Sequence, residues 1–176
     1  MVERIKQLRV GDPREEDTQI GCLISEKAAI KVEKEVERTV EQGGRIILGG
    51  KRNCAFYEPT VIADVPKTAD VAKDMEIFGP VVPVIGFDTD DEAIEIANNS
   101  VFGLSSCVFS RDQKRAFRVA SAMEAGGAVI NGASFFRAFE MPFGGWKHSG
   151  IGTEGVMSTF DEMTRVKNIV LKNIID

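Results

Sequence analysis

Apolar positions along this chain repeat first with a helical period and then as short runs, and the two alternate. Val2 and Ile5 begin a helical pattern in mid-stripe, with no capping residue ahead of Val2, and it stops at Gly11-Asp12-Pro13. A polar loop, REEDTQIG, follows. Ser25 can cap a helix that carries Ala28, Ala29, Val32, Val36 and Val40 on one stripe, with Lys and Glu elsewhere. Gly43-Gly44 ends it, and RIILGG reads as a short buried strand. YEPTVIADV (57–65) reads as a strand with Pro59 near its start, where a missing N–H does least harm.

VVPVIGF (81–87) is apolar throughout, as in parallel strands covered on both faces, and Pro83 places it at an edge or a bulge. Thr89 with Glu92 forms a capping box for a helix through Ile94, Ile96 and Ala97. LSSCVFS is the next strand, and Ser110 with Gln113 predicts a cap for a helix through Ala116, Val119 and Met123. AVIN (128–131) is a strand that opens into a long loop rich in Gly and Phe, GASFFRAFEMPFGGWKHSGIG. The tail, TRVKNIVLKNI, is β-prone and only loosely alternating. Strands alternating with helices define an α/β fold, expected as a mostly parallel sheet flanked by helices with right-handed crossovers. Ligands of such sheets sit beyond the C-terminal ends of the strands, so the loop after AVIN is where chemistry belongs.

Composition narrows the classes. With 176 residues, 43% hydrophobic and 28% charged, the chain can build a globular core and has no low-complexity tract. A net charge of −5 argues against a nucleic-acid partner, since phosphate binding needs dense Lys and Arg. No apolar run approaches the roughly 18–20 residues that span a bilayer, so no membrane partner is expected. Cys22, Cys54 and Cys107 are odd in number and form no CxxC pair. They predict neither a disulfide framework nor a metal site, and fit a reducing, cytoplasmic setting.

Several blocks occur together in a fixed order: VGDPREEDTQIGCLIS, EIFGPVVPV, and AGGAVIN with MPFGGWKHSGIG, linked by YEPTVIADV and IANNSVFGL. In these the chain resembles the NAD(P)-dependent aldehyde dehydrogenases over essentially its whole length. The resemblance implies that residues 1–163 are part of the catalytic domain and that 164–176 form an oligomerisation strand and tail, through which the protein would be a homo-oligomer.

On the residues alone, Glu76 reads as a surface acid beside a turn and Phe78 as core. The resemblance assigns them instead to cofactor binding, Glu76 to the hydroxyls of the nicotinamide ribose and Phe78 to a place beside the nicotinamide of NAD or NADP. Asn131 opens the substrate-side loop, where a turn-forming Asn is equally at home. Phe135, Phe136 and Phe139 either line an aldehyde tunnel or belong to the core, and Phe143 is expected on the substrate side. Arg137, amid phenylalanines, either clamps a carboxylate or phosphate of an acidic aldehyde or forms a surface ion pair. In FGGWKHSG, Lys147 and Ser149 are expected to fix the loop, and His148, the one histidine, to face solvent. Thr153 stands where many members carry Arg.

Aldehyde oxidation in this family proceeds through a thiohemiacetal on a cysteine, with a glutamate activating water for the second step. Those residues and the nucleotide-binding domain belong to blocks that precede VGDP, and none of the three cysteines here matches the nucleophile motif. The expectation is a C-terminal fragment with no catalytic residue of its own, inactive in isolation, from an enzyme oxidising a small aldehyde such as succinate semialdehyde, lactaldehyde or glyceraldehyde phosphate. A stand-alone binding or assembly module is the alternative.

Overall fold

The computed structural model describes residues 1–173. Its contacts divide the chain into two compact units, Met1–Val101 and a second starting at Phe102.

The first unit begins with a single helical turn, α1 (Val2–Ile5), and a long helix, α2 (Glu26–Glu41). The Ser25 hydroxyl accepts from the Ala28 N–H at 3.1 Å, so this cap sits where the sequence places it. The buried stripe of α2 is Ala29, Val32, Val36 and Thr39, and Val40 lies outside it. Thr39 can be buried because its hydroxyl donates to the Glu35 carbonyl at 2.8 Å. Beyond the helix come β1 (Arg45–Leu48), the hairpin strands β2 (Arg52–Asn53) and β3 (Phe56–Tyr57), and β4 (Thr60–Ala63). Pro59 splits the predicted 57–65 strand between β3 and β4. A short 3₁₀ turn over Asp70–Ala72 precedes β5 (Val81–Pro83). The sheet order is β1-β4-β5, which makes β5 an edge strand, the place Pro83 demands. The core gathers Val32, Val36, Tyr57, Ile62, Val65 and Ala69, with Leu23, Ile77 and Val81 packed against it.

Helix α3 (Asp90–Asn98) closes this unit. Thr89 accepts from the Glu92 N–H at 3.2 Å, and the Glu92 carboxylate reaches back to the Asp88 N–H at 2.6 Å, a capping box displaced by one residue. That amide and the Lys67 ammonium together hold the Glu92 carboxyl below its usual range.

The second unit contains β6 (Phe102–Gly103), β7 (Ser105–Val108), α4 (Gln113–Ala122), β8 (Gly127–Ile130), β9 (Trp146–Lys147) and α5 (Val156–Met163). Helix α4 packs on β7 and β8 and buries Ala116 and Val119. Its cap is Asp112, whose carboxylate accepts from the Arg115 N–H at 3.0 Å, not the predicted Ser110. The Ser110 hydroxyl instead accepts from the Asp112 N–H, orienting the residue that caps.

Pairing is mixed where a mostly parallel sheet was expected. Strands β4 and β5 run parallel, as do β7 and β8, whereas β1–β4, β2–β3 and β6–β9 are antiparallel. Both parallel pairs have a connection long enough to cross over, and the β2–β3 link is a tight hairpin, whereas β6 and β9 pair antiparallel although the whole β7–α4–β8 segment and its loop lie between them. Residues 164–173 carry no helix or strand, and 174–176, the end of the expected oligomerisation strand, lie outside the described residues. Among the described residues, no helix is long and apolar enough to cross a membrane.

Candidate active-site elements

In the first unit the chain from Met75 to Pro80 is irregular yet well anchored. The Met75 N–H donates to the Asp70 carbonyl at 3.0 Å, and Ile77 packs against the core. With Ile77 directed inward, its neighbours Glu76 and Phe78 both stand exposed, Phe78 at 74%. Two successive three-residue turns follow, Gly79 N–H to Ile77 carbonyl at 2.9 Å and Val81 N–H to Gly79 carbonyl at 2.8 Å. The Pro80 carbonyl then accepts from the Thr60 N–H at 2.8 Å, which joins the turn to β4.

Gly79 is required at this point because a Cβ there would lie 2.8 Å from the Val32 Cγ2 of α2. The Glu76 carboxylate has no hydrogen-bond or ion-pair partner among the described residues. It is thus free to accept from hydroxyls of a ligand, next to an aromatic ring with an open face.

In the second unit β7 and β8 end side by side, and Asn131 continues the ladder, donating its N–H to the Val108 carbonyl at 2.8 Å. Both ends of its side-chain amide are engaged by one residue. The oxygen accepts from the Ser110 N–H and the nitrogen donates to the Ser110 carbonyl, both at 2.9 Å. Asn131 itself is in the left-handed region at φ 54°, a conformation Asn tolerates better than most residues. Its backbone therefore turns the chain out of the strand, and its side chain ties that exit to the β7–α4 corner.

The loop from Gly132 to Pro142 makes two turns, closed by Phe136 N–H to Ala133 carbonyl and Met141 N–H to Ala138 carbonyl, each 3.0 Å. Phe135, Phe136 and Phe139 are exposed at 83%, 56% and 95%, so they are not core in this chain. Arg137 lies over the ring of Phe143, its guanidinium carbon 3.9 Å from the centroid. Its Nη1 also donates to the Phe136 carbonyl at 2.9 Å and to the Ser134 carbonyl at 3.4 Å.

The far end of the loop is fastened by contacts that need the FGG glycines. A Cβ on Gly126 would fall 1.6 Å from the Gly144 carbonyl oxygen, so two backbone segments cross there in direct contact. Phe143 and Glu154 exchange both backbone hydrogen bonds, at 2.8 and 2.6 Å. Ser149 Oγ accepts from the Gly103 N–H at 2.9 Å, and Lys147 pairs with Glu124 at 2.7 Å. His148 is exposed.

Helix α5 has no counterpart in the sequence reading. Its start is Gly155, which offers no capping side chain, and its apolar residues Val156, Met157, Phe160 and Met163 are all exposed. The Thr153 N–H lies 3.4 Å from the Glu162 carboxylate of this helix. The cysteines are exposed and unbonded, and among the described residues no group hydrogen-bonds any of the three thiols. No cluster of metal-binding side chains occurs among the described residues either.

The model of the aldehyde dehydrogenase family matches residues 1–169, and the chain belongs to that family. It is 44% identical to the lactaldehyde dehydrogenase of Methanococcus aeolicus over 172 residues, 97% of this chain and 36% of that protein. It is 42% identical to the 3-sulfolactaldehyde dehydrogenase of Priestia megaterium, over 96% of this chain and 35% of that one.

Among solved structures, aldehyde dehydrogenase 21 from Physcomitrella patens, in complex with the reaction product succinate, superposes with a TM-score of 0.90 at 43% identity. That match covers 98% of this chain and 36% of the other. The glyceraldehyde-3-phosphate dehydrogenase GapN of Methanocaldococcus jannaschii, complexed with NADP, gives 0.88 at 43% identity, covering 94% and 36%. The chain thus spans about a third of the length of the relatives it matches.

Proposed function

We propose that the chain is the part of an NAD(P)-dependent aldehyde dehydrogenase that supplies the nicotinamide-ribose contact, one wall of the substrate site and an oligomerisation strand. The whole enzyme oxidises an aldehyde to a carboxylic acid, and NAD(P)+, when bound, takes up the hydride. Glu76 accepts from the ribose hydroxyls, and Phe78 offers its ring to the nicotinamide. The observation that supports this most is the pairing of an unpartnered carboxylate with an open aromatic face on a turn fixed by Ile77 and Gly79. Phe135, Phe136 and Phe143 supply the apolar wall on the substrate side. Asn131 shapes the start of that wall through Ser110.

Arg137 directs the choice of substrate to aldehydes that carry an anionic group. Three relatives support this reading, since 3-sulfolactaldehyde, succinate and glyceraldehyde 3-phosphate in their descriptions all carry one. Among the described residues no cysteine thiol has a hydrogen-bonding base beside it, and the chain is inactive by itself.

The test is NAD(P)H formation with a panel of neutral and acidic aldehydes, by the purified chain alone and mixed with the N-terminal two-thirds of a relative. Silence alone and turnover on mixing is the expected result, with acidic aldehydes preferred and that preference lost in Arg137→Ala. Turnover by the chain alone would make one of Cys22, Cys54 or Cys107 the nucleophile and overturn the assignment.

A further inference from the structure

We infer that Phe143 is a specificity-determining positioning residue: its ring seats Arg137 so that the Nε/Nη2 edge of the guanidinium faces outward for side-on recognition of a substrate oxyanion. The inference rests on the reading of Arg137 given above and adds how the cation is aimed.

Three observations carry it. The guanidinium lies over the Phe143 ring at 3.9 Å, a stacking that fixes the plane of the fork. Its Nη1 is used twice within its own loop, on the Phe136 and Ser134 carbonyls. Nε and Nη2 have no partner among the described residues. A guanidinium held by one face and one nitrogen presents a single remaining edge, and that edge matches a carboxylate or sulfonate with two parallel N–H···O bonds.

The backbone that carries the ring is itself fixed. Phe143 is half-buried and its backbone is bridged to Glu154 through both hydrogen bonds, so the seat does not depend on the rest of the loop. Without the ring, an exposed arginine in a loop samples many rotamers, and ordering it costs part of each bond it forms. An exposed cation–π contact is worth about 0.5–1 kcal/mol, which corresponds to about 2- to 5-fold in affinity for the anion.

The experiment uses the 176-residue chain, ¹⁵N-labelled, with the Arg137 Nε–H resonance assigned by its loss in Arg137→Ala. Succinate is the probe and succinamide the neutral control. In the wild type the resonance is ring-shifted and moves on addition of succinate but not of succinamide. In Phe143→Leu the ring shift disappears and half-saturation requires about 2- to 5-fold more succinate. Phe143→Tyr, which keeps the aromatic face, restores both, and Phe143→Met, which is apolar and of similar length with no ring, does not. Equal succinate binding by Phe143→Leu and wild type overturns the seat while leaving Arg137 as the anion contact. A wild-type resonance that succinate does not move overturns the anion contact, and the seat with it.

Discussion

Gly79 decides where Glu76 and Phe78 stand. Its missing Cβ is what allows the turn to lie against Val32, and a methyl there would approach the valine Cγ2 to 2.8 Å. Gly79→Ala is expected to cost about 1–3 kcal/mol, as overpacking of a filled site does. Urea denaturation reads the loss, and Val32→Ala made in the same chain recovers part of it because the two side chains share one space. Tyr57 is the opposite case, a group that fits but lacks a partner. Its hydroxyl is buried with no hydrogen bond among the described residues, and burial first, then the charges of Glu33, Glu37 and Glu58, push its pKa up to about 12. The ordinary phenol titrates near 10, so the unfolded chain ionises first.

The Tyr57 contribution is therefore complete below about pH 10 and is lost as pH rises towards 12. As Tyr57 is the single tyrosine, near-ultraviolet absorbance follows its ionisation directly. Tyr57→Phe is expected to be neutral or slightly stabilising at pH 7, since no bond is lost, and to reduce the alkaline slope.

Two helix starts were legible in the sequence, where a single capping hydroxyl stands three residues before its target. Ser25 and Thr89 both cap as their spacing predicts, since the bond depends only on a three-residue interval. The start of α4 was misplaced because SRDQ offers two acceptors in tandem, and only geometry shows that Asp112 caps while Ser110 holds Asp112. Asp112→Ala should accordingly cost about 1 kcal/mol and Ser110→Ala less, a ranking that thermal denaturation of the two variants checks.

Helix α5 escaped notice because it opens on Gly155 with no polar cap and has no buried stripe. Strand direction was legible only in part: the apolar run 81–87 reads as a parallel edge strand and β5 is one, whereas nothing in RIIL says that β1 pairs antiparallel. The EIFGP turn stood out as a Gly-Pro break beside an acid and an aromatic, but on the residues alone Phe78 read as core, and it is exposed in the structure. The bonds of Asn131 to Ser110 and the stacking of Arg137 on Phe143 did not stand out, since they join residues across a sheet or a folded loop.

For the molecule as a whole, much apolar surface is open. In the tail, Val166, Ile169, Val170 and Leu171 are 77–95% exposed, and residues 164–173 pair with no strand. Such a segment offers unpaired backbone and apolar side chains to another chain. Self-association through residues 164–175 is the expected consequence, seen by light scattering as a mass that rises with concentration and falls back when the tail is removed. A monodisperse monomer over a wide concentration range would exclude it.

The loop that carries Arg137 leaves its sheet at a residue bolted to Ser110 and returns at a crossing where Gly126 meets Gly144 without room for a methyl group. Both anchorages lie outside the stretch between them and owe nothing to its side chains. Residues 132–142 thus resemble an interchangeable cassette in a fixed mount. On the role proposed for this loop, natural selection or a protein engineer could rewrite its side chains, and with them the preference for a substrate, while the frame that holds the cassette stays as it is.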